Sequence, residues 1–194
     1  AFANNRPNEV AFLLGTGPDH LFDLVTDLAA ALGAPAPVRF GALSMFEARA
    51  TLMQAAENIL GQKCLPFFDI GNSDFVLSFG ANFLETWLSP VAYTRNFAKL
   101  RRGNPDHRGK LIQIEARMSQ TAAKADKWLA VKPGTEGLVA LAIGRLVAEA
   151  KGVSLPKAFA SVDPLDVAST AGVKLDELER IAAMFIKAQH PLVI

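Results

Sequence analysis

Several apolar runs in this sequence end in polar residues suited to holding a phosphorylated ligand. In "SFGANFLETWLSP", Gly80 lets the backbone turn sharply at a strand end, and Asn82 can offer its amide to a phosphate or a base. In "IQIEARMSQTAAKAD", Glu115 at a strand tip is placed to accept hydrogen bonds from ribose hydroxyls, and Arg117 beside it can meet a phosphate through its planar fork. In "KPGTEG", Gly134, Thr135 and Glu136 open a helix whose free backbone N–H groups suit an anion, while a carboxylate there suits the donor edge of guanine. Each stretch also has a plainer reading. The Asn and Glu of the first loop can tie down their own backbone, Glu115 and Arg117 can form a surface pair, and Thr135 can simply cap its helix. "GTGPDH" lacks both the third Gly of a dinucleotide fingerprint and the Gly-Lys-Ser/Thr of a phosphate loop, so it reads as an ordinary strand-to-helix turn.

Groups that would react are missing. His20, His107 and His190 lie far apart without metal-ligand spacing, and no serine stands in a nucleophile elbow. Cys64 is the single cysteine; it can form no internal disulfide and cannot alone hold an iron–sulfur cluster. No catalytic or metal-binding residues are assigned. The chain holds something and leaves the reaction to other parts.

The elements that must position these residues alternate in type. Apolar runs "EVAFLLG", "VRFGAL", "DFVLSFG", "KLIQIE", "KWLAV" and "PLVI" read as strands, the first of them buried. Between them, "PDHLFDLVTDLAAALGA" repeats Leu21, Leu24, Val25, Leu28 and Leu32 at helical spacing and stops at Gly33. "SMFEARATLMQAAENILG" is helical, with Ser44 and Glu47 as a capping box and Gly61 as its stop. Ser89-Pro90 opens a third helix, "SQTAAKA" a helical turn, and Thr135 the helix "TEGLVALAIGRLVAEAKG". "VSLPKAFASVDPLDVASTAGV" is a connector to a last helix with Leu175, Leu178, Ile181, Ala182 and Phe185 on one face. Short continuous strands alternating with amphipathic helices predict a three-layer α/β/α fold with a mostly parallel, Rossmann-like sheet, as a single domain over residues 1–194. Ligands of such sheets sit beyond the carboxyl ends of the strands, where the residues above fall.

Composition narrows the class further. Hydrophobic residues make up 51% of 194 and charged residues 20%, which is globular, and the net charge of +1 with scattered basic residues argues against nucleic acid as a partner. No apolar run reaches the ~18 residues needed to span a bilayer. The chain opens on "AFANN" and stops at "HPLVI", just as a strand begins, and is expected to be a fragment of a larger multidomain subunit.

Residues 69–137 resemble the molybdopterin oxidoreductase (dimethyl sulfoxide reductase) superfamily. The resemblance rests on "NSDFVLSFGANFLETWLSP" and "GKLIQIEARMSQTAAKADKWLAVKPGTEGLVALAIG". These follow that family's order of Gly-x-Asn after a strand, Asp-Pro-Arg after a later one, Thr-Ala…Ala-Asp, and Pro-Gly-Thr-Asp before a helix. "AGVKLDELERIAAMFIKAQHPLVI" fits the next helix and strand more loosely. The resemblance implies a sheet of order 3-2-1-4-5 that cradles molybdopterin guanine dinucleotide. Gly80 and Asn82 would then lie at its pyrophosphate or sugar, Glu115 and Arg117 at ribose and phosphate, and Gly134, Thr135 and Glu136 at the guanine end. It also implies an iron–sulfur cluster outside this stretch, contact with the remaining domains of its own chain, and iron–sulfur and membrane partner subunits at the extracytoplasmic face of a membrane. The sequence departs from the pattern at Ala116, where Pro is usual, and at Glu115 and Glu136, where Asp is commoner. Those glutamates and "FLETWLSP" are similar to the large molybdopterin-like subunit of alternative complex III, which implies a second possibility: a cofactor-free structural domain in a respiratory quinol-oxidising complex.

Overall fold

Residues 6–15, 17–39, 48–102 and 108–194 are described by the computed structural model. Where one domain is the sequence expectation, the chain forms two compact units, Ala1–Phe67 and Phe68–Ile194.

The first unit contains β1 (Leu13–Leu14), α1 (Asp19–Leu32), β2 (Val38–Arg39) and α2 (Ala48–Leu60). The two strands pair in parallel, Leu13 with Val38 and Leu14 with Arg39. Gly33 ends α1 in the left-handed conformation, its N–H reaching the carbonyls of Ala29 and Ala30. Helical periodicity located α1 correctly, but its leucine stripe does not face a core. Leu21, Leu24, Leu28 and Leu32 are exposed, and Phe22 and Ala29 are the residues that α1 buries. The expected buried first strand is likewise corrected: it is two residues long and Leu13 is exposed. A two-stranded ribbon offers too little surface to cover an apolar face. The Ser44–Glu47 capping box and His107 lie outside the described residues.

The second unit carries the architecture that the alternation predicts. Its strands are β3 (Phe75–Phe79), β4 (Lys110–Glu115), β5 (Lys127–Ala130) and β6 (Pro191–Val193). Its helices are α3 (Pro90–Arg102), α4 (Gln120–Lys124), α5 (Glu136–Lys151), α6 (Lys157–Ala160), α7 (Pro164–Ala171) and α8 (Leu175–Lys187). The sheet runs β5-β4-β3-β6, every pair parallel. Counted from β3, that order is 3-2-1-4, the first four places of the 3-2-1-4-5 order that the resemblance implies. Alternate residues face opposite sides. Phe75, Leu77, Ile112, Ile114 and Leu129 pack with α5, α7 and α8 residues such as Val139, Val167, Leu178 and Ile181. Val76 and Leu111 pack on the other face with Ile70, Phe83, Tyr93 and Leu100. The result is three layers.

The connector expected between α5 and α8 holds two helices. Asp163 accepts the Leu165 N–H at the start of α7, Pro164 takes the first helical position, and Gly172 ends it left-handed. Among the described residues no helix is long and apolar enough to cross a membrane.

Candidate functional site

The carboxyl edge of the four-stranded sheet is set by register. Phe79 pairs with Ile114, and Glu115 with Ala130, so β3, β4 and β5 finish in one row. Order reverses between β3 and β6, which makes the end of β3 a topological switch point, where parallel sheets open a crevice for ligands. Gly80 leaves β3 at φ +68°, and its N–H donates to the Ile114 carbonyl at 2.9 Å. A Cβ there would meet nothing within 4 Å, so glycine is required by the backbone angle and not by crowding.

The loop after Gly80 is wound around one carbonyl. Asn82 O accepts from the N–H groups of Glu85, Thr86 and Trp87 at 3.0, 3.1 and 3.1 Å. The side-chain Oδ1 of Asn82 is buried and has no partner among the described residues. Two bonds fasten this loop to α4: Leu84 N–H donates to Thr121 Oγ1 (3.2 Å), and Gln120 N–H to Glu85 Oε1 (3.1 Å). Glu85 therefore ties down backbone, as the plainer reading allowed, but the backbone of α4 and not its own.

Glu115 is turned inward. It is 6% exposed; Gln113 Nε2 donates to its Oε2 (2.9 Å) and Ser119 N–H to its Oε1 (2.8 Å). Its main-chain carbonyl accepts from Trp128 Nε1 (2.9 Å). Arg117, two residues on, is exposed and has no partner among the described residues, so the two do not form the surface pair. Ser119 caps α4 by accepting the Ala122 N–H.

Past β5, Gly134 turns the chain at φ +81°, again with open space beside it. Thr135 takes the N-cap position of α5 but does not cap it. Its hydroxyl donates backward to the Lys132 carbonyl at 2.6 Å, because its φ −100°, ψ −2° is already helix-like. The first bond within the helix runs from Val139 N–H to Thr135 O. The amides of Glu136, Gly137 and Leu138 therefore face outward without partners among the described residues. Glu136 is half-buried and likewise unpartnered there.

Gly80 and Asn82 follow β3, Glu115 and Arg117 stand at the end of β4, and Gly134, Thr135 and Glu136 follow β5, so all fall at the carboxyl edge of the sheet, with Glu115 buried. Gln113, Ser119, Thr121 and Glu85, which brace this edge, were not singled out from sequence. The signal for Gln113 was its polarity inside the apolar run "LIQI".

Architecture and edge define a parallel α/β unit whose strands β3, β4 and β5 end in one row at a topological switch point. No profile of a known protein family matches the chain. It is 34% identical over 134 residues to the molybdopterin-binding-like subunit of menaquinone reductase from Nitratidesulfovibrio vulgaris, across 66% of this chain and 19% of that protein. It is 36% identical over 88 residues to the molybdopterin-containing subunit of arsenate respiratory reductase from Shewanella, across 44% and 9%. With the assimilatory nitrate reductase of Haloferax mediterranei it shares 30% over 196 residues, across 92% and 26%. The acetylene hydratase of Pelobacter acetylenicus has the same fold, with a TM-score of 0.64 over 99% of this chain and 27% of that one at 19% identity. The chain belongs to the molybdopterin oxidoreductase (dimethyl sulfoxide reductase) superfamily and spans about a quarter or less of the curated relatives it matches.

Proposed function

We propose that this chain is the α/β segment that holds the nucleotide end of molybdopterin guanine dinucleotide in a molybdenum oxidoreductase subunit. The observation that carries this reading is the open N-terminus of α5: Thr135 leaves it uncapped, and among the described residues three amides and the carboxylate of Glu136 have no partner. Such a terminus favours a negatively charged group, and Glu136 can accept from the N1 and N2 donors of guanine. The guanidinium of Arg117 and the Oδ1 of Asn82 have no partner among the described residues; the first suits a phosphate and the second a donor from the sugar or base. The residues present therefore fit the nucleotide end. When bound, the cofactor supplies the redox-active molybdenum; this chain's residues bind and orient its far end. The iron–sulfur cluster and the partner subunits, at the extracytoplasmic face of a membrane, belong to the same proposal.

The test is titration of the chain with GMP and AMP, followed by amide chemical shifts. GMP should shift Gly134–Leu138 more than AMP does. Because half the cradle lies outside the chain, affinity is expected near millimolar, about 4 kcal/mol. Glu136→Gln should weaken GMP selectively, since an amide presents one acceptor and one donor to an edge that offers only donors. Arg117→Ala should weaken both nucleotides alike. Equal responses to GMP and AMP in the parent chain would remove the guanine assignment.

A second reading is favoured by one observation: Glu115, the strand-tip acid, is spent inside the protein. The menaquinone reductase relative is a molybdopterin-binding-like subunit, which accords with a cofactor-free structural domain, here proposed to serve a respiratory quinol-oxidising complex resembling alternative complex III. Molybdenum and guanine nucleotide analysis of the full-length protein separates the two readings.

A further inference from the structure

We infer that Glu115 is a positioning residue: it clamps the 116–119 turn so that Arg117 is presented at the sheet edge, and it does not itself touch a sugar. This rests on the nucleotide-holding reading above. Gln113 and Glu115 are two apart on β4 and face the same side, so the fully buried Gln113 amide reaches the carboxylate from beneath. Ser119 N–H reaches the other oxygen from the far side of the turn. Turning the carboxylate out to a ribose would strand both donors in the interior, where an unmade hydrogen bond costs more than a made one gains. The Glu115 carbonyl is also held, by the Trp128 indole, so the residue's backbone cannot rotate outward either. Glu85, from the loop after β3, takes the next amide along, Gln120 N–H. Two carboxylates, one at the tip of β4 and one in the loop after β3, thus grip consecutive amides. The turn between them is fixed, while Arg117 at its apex keeps its guanidinium free among the described residues.

The experiment compares the parent chain with Glu115→Ala and Glu115→Gln, using two readouts. The first is amide hydrogen exchange without ligand. Ser119 should be protected in the parent, lose protection in Glu115→Ala and regain it in Glu115→Gln, whose remaining oxygen can still accept. The second is titration with GMP and with its 2′,3′-dideoxy analogue, which lacks both sugar hydroxyls. The parent should bind the two equally, and Glu115→Ala should weaken both together by roughly tenfold, the loss of about one charge-assisted hydrogen bond's contribution. Glu115→Gln should restore both. A parent that prefers GMP over the dideoxy nucleotide, with the preference lost in Glu115→Gln, would place the carboxylate on the sugar and overturn the inference. An unprotected Ser119 amide in the parent would do the same. If Glu115→Ala does not fold, the parent and Glu115→Gln still decide between these outcomes. Should no nucleotide bind the parent, the holding reading fails, and the clamp stands or falls on Ser119 exchange alone.

Discussion

Gly80 and Gly134 share a requirement that has nothing to do with room. Both sit at positive φ, and a Cβ at either would meet no atom within 4 Å. Gly80→Ala should therefore cost about 1–2 kcal/mol, the left-handed penalty alone, and urea unfolding should show a lower midpoint with an unchanged slope. These glycines were legible in the sequence because strand ends followed by glycine announce a turn. The direction of Glu115 was not. Whether a strand-tip carboxylate faces ligand or interior depends on donors two residues back and four ahead, and on how deeply α4 covers them. The same holds for Thr135: its position was readable, but its hydroxyl bond depends on the Lys132 carbonyl, placed by a turn already tightened through Gly134.

Among the elements, α3, β4 and α4 are bound through a single guanidinium. Arg101 Nη1 donates to Asp126 Oδ2 (2.6 Å) and to the Gly109 carbonyl, while Nη2 donates to the Lys124 carbonyl. Asp126 Oδ2 also accepts the Leu111 N–H. The Arg101 side chain is 11% exposed and Gly109 is buried, so removal of the guanidinium leaves the Gly109 carbonyl unpaired while Asp126 and Lys124 can turn to water. Arg101→Ala should destabilise the second unit by about 1–2 kcal/mol in denaturant melts, and Arg101→Lys should recover only part, because an ammonium cannot span the same acceptors. From sequence this arginine was one of a basic group at a helix end, and nothing local marks it as an organiser. Helix existence, by contrast, was readable wherever caps and periodicity agreed. It was missed at α7, where Asp163, Pro164 and Gly172 supplied the caps but the run was too short to show a clear stripe.

At the scale of the molecule, the two units differ in what they bury. Phe68–Ile194 has a hydrophobic cluster on each face of its sheet, whereas the buried hydrophobics of Ala1–Phe67 among the described residues are Phe22, Ala29 and Ala56. Expressed separately, Phe68–Ile194 should unfold cooperatively, and Ala1–Phe67 should give collapsed amide dispersion in a proton–nitrogen spectrum. A well-dispersed spectrum from the shorter piece would contradict this. Strand and helix alternation gave the class of the second unit, since parallel strands buried on both faces leave a plain apolar signature. The same signature misled in the first unit, where apolar runs do not end in burial.

The pairing of β6 carries a consequence for how the sheet comes into being. Asp74, just before β3, accepts the N–H groups of Gln189 and His190 at 2.7 and 2.9 Å, a closure across 115 and 116 positions. The β3–β4 and β4–β5 pairings close far shorter loops. Long-range closures come late and slowly when chains fold. On a ribosome, β3, β4 and β5 can zip together while α8 is still being made, and β3 keeps one edge open until β6 emerges. The switch point is thus the last part of this four-stranded sheet to form. A cofactor seated there would be gripped by a surface that closes only when β6 docks beside β3.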